Sequence, residues 1–201
     1  MAVLAPPRLR QVATDEWIED DEPVIDPEMV PRGYELIDGT LVERNKTGFL
    51  SGFIATRLIQ FLGIFLDDKP LGVVVGSEAT YACFPDRPRH IRKPDIAVIL
   101  CNPKKFIPPR MNYKKAPELL VEVVSPTDTV YKLDRKLKEF LSAGTKLAWI
   151  VNPEARAVMI RRADGTTTEI VEPGELSGET ILPGFTLPLS KLFPRVVKET
   201  V

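Results

Sequence analysis

Two stretches, Lys93-Pro94-Asp95-Ile96-Ala97-Val98-Ile99-Leu100 and Pro117-Glu118-Leu119-Leu120-Val121-Glu122-Val123-Val124, decide how this chain is read. Each is a short apolar run introduced by proline, the pattern of a strand buried on both faces. Each also carries a carboxylate: Asp95 opens the first run and Glu122 lies inside the second. An ionised carboxylate inside a Val/Leu run is costly to bury unless something compensates it. A hard divalent cation is one such compensator, because Mg2+ is held through one or two carboxylates while water and substrate phosphate fill its remaining positions. If the two strands are neighbours, Asp95 and Glu122 can hold a metal ion between them, an arrangement suited to phosphodiester hydrolysis.

The flanking sequence supplies strands and helices in alternation. Residues 34–43 read as a β-hairpin around Asp38-Gly39, a strong two-residue turn signal. Residues 48–66 place Phe53, Ile54, Leu58, Phe61, Leu62 and Phe65 at helical spacing, so a long helix packs on a sheet. Residues 71–76 and 79–84 read as further strands. Pro126 ends the Glu122 strand, and Thr127, Asp128 and Thr129 offer N-caps for a helix over 131–143 that Gly144 stops. Leu133, Leu137, Phe140 and Leu141 face inward on that helix. An apolar strand over 147–151 contains Trp149, which with Phe140 belongs to the core. A second hairpin, 157–161 with 167–171, turns at Asp164-Gly165, and 182–193 reads as an irregular Pro- and Leu-rich segment. The order predicts the α/β (α+β) class, with a mixed central sheet flanked by helices.

Bulk properties bound the function. A chain of 201 residues, 44% hydrophobic and 27% charged, suits one sizeable globular domain. Residues 1–30 carry four prolines and the acidic run from Asp15 to Glu22, and read as a flexible N-terminal segment with a short helix over 14–18 capped by Thr14. The folded domain is expected over 31–195. The longest apolar stretch, 49–66, is interrupted by Arg57 and Gln60, so no membrane span is expected. Without a basic segment followed by a continuous apolar stretch near residue 1, no secretory signal is expected, and a cytoplasmic location is expected by default. Cys83 and Cys101 form no disulfide framework or zinc pattern and read as small buried hydrophobes.

The net charge of −1 is not the footprint of a protein that coats nucleic acid, but it is compatible with a nuclease whose acidic ligands offset a local basic face. Basic residues do flank the two acidic strands: Arg87, Arg89, His90, Arg92 and Lys93 before Asp95, Lys104 to Lys115 before Glu122, and Lys132, Arg135, Lys136 and Lys138 after it. Any one cluster is accounted for by a solvated surface, but three together suggest contacts to phosphate. Lys136 lies at the edge of its helix's apolar stripe and can reach back over the sheet. Glu43 ends the first hairpin. The structural alternatives are a turn-proximal Asp95, a metal-free ion pair between Glu122 and Lys136, a solvated Lys136, and ordinary surface roles for Glu43 and Glu78.

Taken in order, Tyr34-Glu35-Leu36-Ile37-Asp38-Gly39 with Leu41-Val42-Glu43, then Lys93-Pro94-Asp95, Glu122-Val123-Val124-Ser125-Pro126, Lys136-Leu137, Gly144 and Trp149-Ile150-Val151 resemble the Uma-type endonucleases. These form a branch of the PD-(D/E)XK nuclease superfamily once catalogued as a domain of unknown function. The resemblance implies the restriction-endonuclease-like fold and a Mg2+- or Mn2+-dependent endonuclease acting on DNA, expected as a homodimer. It implies Asp95 as central metal ligand, Glu122 as second ligand and the Val123 carbonyl beside them. Lys136 then serves as the catalytic lysine displaced to the helix, and Glu43 as a supporting acid. Two departures stand out. Val124 occupies the superfamily's lysine position, and Ser51 stands where relatives carry a histidine near the start of the long helix. His90, the only histidine, reads as a surface residue of a basic loop. The alternative is therefore a catalytically inactive nuclease-fold domain that binds nucleic acid or regulates. A hydrolase of small phosphoesters is disfavoured by the lack of a phosphate-cradling Gly-rich loop.

Overall fold

The computed structural model describes residues 25–45 and 48–195, together with two short strands upstream, β1 (Arg10–Gln11) and β2 (Trp17–Ile18), which pair antiparallel. Trp17 and Ile18 are thus extended where a helix was expected, while 14–16 lie outside the described residues. The folded unit also begins earlier than residue 31. Asp26 caps a 3-10 turn over Pro27–Met29 by accepting the Glu28 N–H at 2.9 Å. Lys114 reaches Glu28 at 2.9 Å, and the Asn112 side chain donates to the Pro27 carbonyl at 2.9 Å, which fastens this turn to the domain.

β3 (Tyr34–Ile37) and β4 (Thr40–Glu43) form the first hairpin. Its turn residues Asp38 and Gly39 have φ of 51° and 92°. Positive φ at both central positions matches the twist of the flanking strands, and Asp-Gly tolerates it. α1 (Phe49–Asp68) follows. The central sheet has six strands: β5 (Gly72–Gly76), β6 (Ile96–Leu100), β7 (Leu119–Val123), β8 (Leu147–Asn152), β9 (Ala157–Arg162) and β10 (Thr167–Val171). They lie side by side in chain order, and only β7 and β8 run parallel. A parallel pair needs a long crossover, and α2 (Val130–Ala143) supplies it. Thr129 caps α2 by accepting the Lys132 N–H, and Gly144 ends it at φ 120°.

Strand alternation divides the core into two layers. Ile96, Val98, Leu119, Val121, Val123, Leu147, Trp149 and Val151 face α1, where Ile54, Leu58, Leu62 and Leu66 meet them. Ala97, Leu120, Ala148 and Ile150 face α2, with its Leu137 and Phe140. The same parity aims Glu122 and Asp95 at the α2 side.

Several expectations are corrected. Residues 79–84 form no strand: Tyr81 makes single bridges to Arg92 and to Tyr113, so its backbone is shared between two segments and builds no ladder. Cys83, buried, lies in this irregular stretch, and Cys101 follows β6. The segment read as irregular contains β12 (Thr186–Pro188), paired with β11 (Glu175–Ser177), and the short helix α3 (Leu189–Leu192). Leu182, Phe185, Leu187, Leu189 and Leu192 close the α1 layer, which is why order is imposed on a proline-rich segment. Finally, α1 is long and apolar enough to cross a membrane by length and composition, with mean hydropathy 1.7. Its stripe from Ile54 to Leu66 is buried against the sheet.

Candidate active site

β6 and β7 pair with Ile96 opposite Val121 and Ala97 opposite Leu120. Continuing that antiparallel register one step sets Asp95 opposite Glu122. The Val123 N–H donates to Asp95 Oδ2 at 2.9 Å, which ties the carboxylate to the strand end. Lys136, one turn and a half into α2, extends over the sheet to the same place. Its Nζ lies 2.9 Å from Glu122 Oε1, 3.1 Å from Oε2 and 3.3 Å from Glu35 Oε1, and it donates to the Lys93 carbonyl at 2.8 Å. The expected trio is therefore assembled in one cleft, between the end of β4, the end of β7 and the start of α2. The cleft also takes in Glu43, which is exposed and forms no ion pair or hydrogen bond through its side chain among the described residues.

The acid that does contact Lys136 from the hairpin is Glu35. It is buried, and Arg92 Nη1 holds its Oε2 at 2.8 Å while the Lys93 N–H donates to Oε1 at 2.8 Å. The sequence signal was present, a carboxylate between Tyr34 and Leu36 on a strand that alternates, but nothing local says which hairpin face is covered. Arg44 was missed as well: its Nη2 donates to Asp95 Oδ1 at 3.0 Å.

Most of the basic loop before Asp95 is tied up within the protein, Arg89 alone of its cations being exposed and without an ion pair among the described residues. Arg87 forks onto Asp38 at 2.6 Å through two nitrogens and reaches Glu139 at 2.9 Å. Arg92 is buried between Glu35 and Glu139, and the Lys93 ammonium, also buried, lies 3.3 Å from Glu78. His90, expected at the surface, is fully buried with its ring edge-on to Phe84. Its Nδ1 accepts the Asp38 N–H at 3.3 Å, which leaves Nε2 to donate to Glu139 at 3.2 Å. Arg87, His90 and Arg92, which look solvated in the sequence, are consumed in clamping the β3–β4 hairpin to α2 through Asp38, Glu35 and Glu139. Ser51, in the expected histidine position, donates to the Val124 carbonyl at 3.2 Å and pins the first turn of α1 to the end of β7.

These contacts set the protonation of the acids. Burial works against the Glu35 charge, but Lys136, Arg92 and the Lys93 N–H outweigh it and hold its pKa down at about 2. Burial also opposes the charge on Glu139, and His90, Arg87 and Arg92 hold that carboxyl at about 2 as well. For Glu122 burial prevails: it pushes the carboxyl up to about 8, with Asp95 and Glu35 adding to the rise and Lys136 opposing it. Burial disfavours the Lys136 ammonium, yet Glu122, Glu35 and Asp95 together raise its pKa above the ordinary value.

Stability should therefore depend on pH in two windows. Glu35 and Glu139, lowered from 4.5 to about 2, stabilise the fold above 4.5 and lose that contribution as pH falls toward 2. Glu122, raised from 4.5 to about 8, acts oppositely: its contribution is complete below 4.5 and is lost as pH rises through 8. Calorimetry from pH 2 to 9 should show the melting temperature rise, pass a maximum and fall. A flat profile below pH 4.5 would contradict the ion-pair network.

Glu122 Oε1 is buried and, although 2.9 Å from Lys136 Nζ, lacks the geometry of a hydrogen bond. An under-satisfied carboxylate oxygen facing a second carboxylate fits a hard cation. Among the described residues no group of three or more His, Cys, Asp and Glu side chains is placed to hold a metal. A cation there would have Asp95 and Glu122 as oxygen donors, with Val123 also lining the cleft; two carboxylates are compatible with Mg2+ or Mn2+, whose remaining positions water and phosphate fill.

Comparison with known proteins agrees with this architecture. A family model, Uma2, described as "Putative restriction endonuclease", matches residues 28–190. The match covers most of the chain, and the chain belongs to the Uma2 family. A solved structure described as "a putative nuclease belonging to DUF820", from Anabaena variabilis ATCC 29413, superposes with a TM-score of 0.67 at 17% identity, covering 80% of this chain and 89% of that one. At that identity the likeness establishes the fold, which is the nuclease fold expected from the sequence. No curated protein matches the sequence.

Proposed function

We propose that this protein is a divalent-metal-dependent endonuclease that hydrolyses DNA phosphodiester bonds. The observation that carries the reading is the convergence of Asp95, Glu122 and Lys136 on one cleft, with a buried Glu122 oxygen left without a hydrogen bond. Asp95, Glu122 and the Val123 carbonyl would hold Mg2+ or Mn2+. Once bound, that ion would neutralise phosphoryl charge and acidify an attacking water. Lys136 is buried against Glu122 and Glu35, which raise its pKa, so it serves as an ammonium that donates to developing negative charge. Glu35 and the Lys93 carbonyl aim that ammonium.

Two cations lining the cleft support a nucleic-acid substrate. Among the described residues Lys132 and Arg135 form no ion pair, and Arg135 Nε is buried without a hydrogen-bond partner. Both lie on one face of α2 and are free to meet the phosphates of a bound strand. Arg135→Ala should weaken DNA binding in Ca2+ buffer and reduce the salt slope of log affinity by about 1. An unchanged slope on fluorescence titration would remove Arg135 from the interface.

The deciding experiment is incubation of supercoiled plasmid with the protein in Mg2+, Mn2+ or EDTA. Nicking in metal and none in EDTA supports the reading. A folded protein inert in every metal would instead be a nuclease-fold binding domain. A homodimer presenting two clefts to two strands belongs to the same proposal, and would show as direct linearisation of the plasmid.

A further inference from the structure

Arg44 sits immediately after β4 at the rim of the cleft, and its guanidinium is divided between two anchors. Nη2 donates to Asp95 Oδ1 at 3.0 Å, while Nη1 donates to the Ser77 carbonyl at 2.9 Å and lies 3.7 Å from Glu78. The base of the side chain is fixed. The Arg44 N–H donates to the Gly33 carbonyl at 2.8 Å, and Asn45 donates to the Thr127 carbonyl at 3.0 Å and to Asp128 at 2.9 Å.

The cleft's three buried or half-buried carboxylates are not served equally. Glu35 has Arg92 and Lys136, and Glu122 has Lys136, but Asp95 has Arg44 as its one ion-pair partner among the described residues. The Arg44 and Asp95 side chains are 17% and 18% exposed, against 10% each for Lys136 and Glu122. Theirs is the pair nearest solvent and the easiest to exchange. A divalent ion on Asp95 and a guanidinium 3.0 Å from the same carboxylate would repel each other strongly. Arginine's planar fork permits a partial release, with one nitrogen staying on a carbonyl while the other turns away.

We propose that Arg44 is a two-position residue, which neutralises Asp95 before metal arrives and, once displaced by the metal, binds the phosphate of the nucleic acid entering the cleft. This rests on the nuclease reading of the same site. The Ser77 carbonyl keeps the guanidinium at the rim in both positions. No proton moves, and no bond forms or breaks at Arg44. It exchanges one anion, a carboxylate, for another, a phosphodiester.

The consequence is a pair of effects with opposite signs, which a merely structural arginine would not produce. Mn2+ alone is titrated by calorimetry into wild type, Arg44→Gln and Arg44→Lys, and plasmid nicking is followed at saturating Mn2+. Arg44→Gln keeps a donor for the Ser77 carbonyl without the charge, which spares the fold, and thermal melting checks this. It should bind Mn2+ on the order of tenfold tighter, because a competing cation is gone. It should also nick on the order of a hundredfold more slowly, because a donor to the phosphate is gone. Arg44→Lys should fall between wild type and Arg44→Gln in both. Mn2+ binding to Arg44→Gln no tighter than to wild type, with wild-type nicking intact, overturns the proposal and leaves the nuclease reading standing. Tighter binding with undiminished nicking overturns it too. A wild type that neither binds Mn2+ nor nicks removes both.

Discussion

Asp95→Ala is expected to bring metal-dependent nicking down to the rate seen in EDTA, a loss of at least about a thousandfold. Continuing the β6–β7 register sets Asp95 opposite Glu122, where the two carboxylates share one cleft. Loss of Asp95 also frees the Val123 N–H and removes the shorter of Arg44's two ion pairs. These are structural effects, and they must be separated from catalysis. Asp95→Asn does so: its side-chain oxygen still accepts the Val123 N–H, while the charge that binds a cation is gone. Asp95→Asn should melt close to wild type, within about 1 kcal/mol of stability, while both variants should fail to nick. Equal cleavage traces for wild type and Asp95→Asn, each folded, would sink the assignment of Asp95 as a metal ligand.

Glu35→Ala should destabilise the protein by about 3 to 5 kcal/mol, the usual result of removing one partner from a buried ion-pair network. Arg92 is buried and would lose its 2.8 Å contact, the Lys93 N–H would lose its acceptor, and Lys136 would keep Glu122 as its one carboxylate partner among the described residues. Urea unfolding measures this directly. Glu35→Gln retains an acceptor for the Lys93 N–H and should recover part of the loss. A cost below about 1 kcal/mol for Glu35→Ala would mean that the hairpin is not clamped through this carboxylate. Because Glu35 also aims Lys136, the glutamine variant should nick more slowly than its remaining stability explains.

The parts of the site that were legible in the sequence are those set by period and punctuation. The apolar runs at 95–100 and 119–123 mark Asp95 and Glu122 as strand carboxylates, and the helical stripe of α2 sets Lys136 at its edge; the register that brings the two acids to one face came only with the sheet. The Asp-Gly turn, the Thr129 cap and the Gly144 stop follow from backbone conformations that few residues adopt. Glu43 and Glu35 show the limit of such reading. Both are hairpin acids near a resembling motif, but which one touches Lys136 depends on how β3 packs against the loop carrying Arg92 and Lys93, 57 and 58 residues away. His90 is the same case. Its basic neighbours suggested a surface, but Glu139, 49 residues on, brings the imidazole inside.

The amino-acid sequence by itself determined the mixed sheet, its crossover helix and the pair of strand carboxylates, because hydrophobic period and turn chemistry are local. Only the tertiary structure decided which charges meet. Arg44 and Asp95 are 51 residues apart, and Lys136 and the Lys93 carbonyl 43 apart. A charge buried in a fold is stable only with its partner, and that partner is chosen by the packing of distant segments.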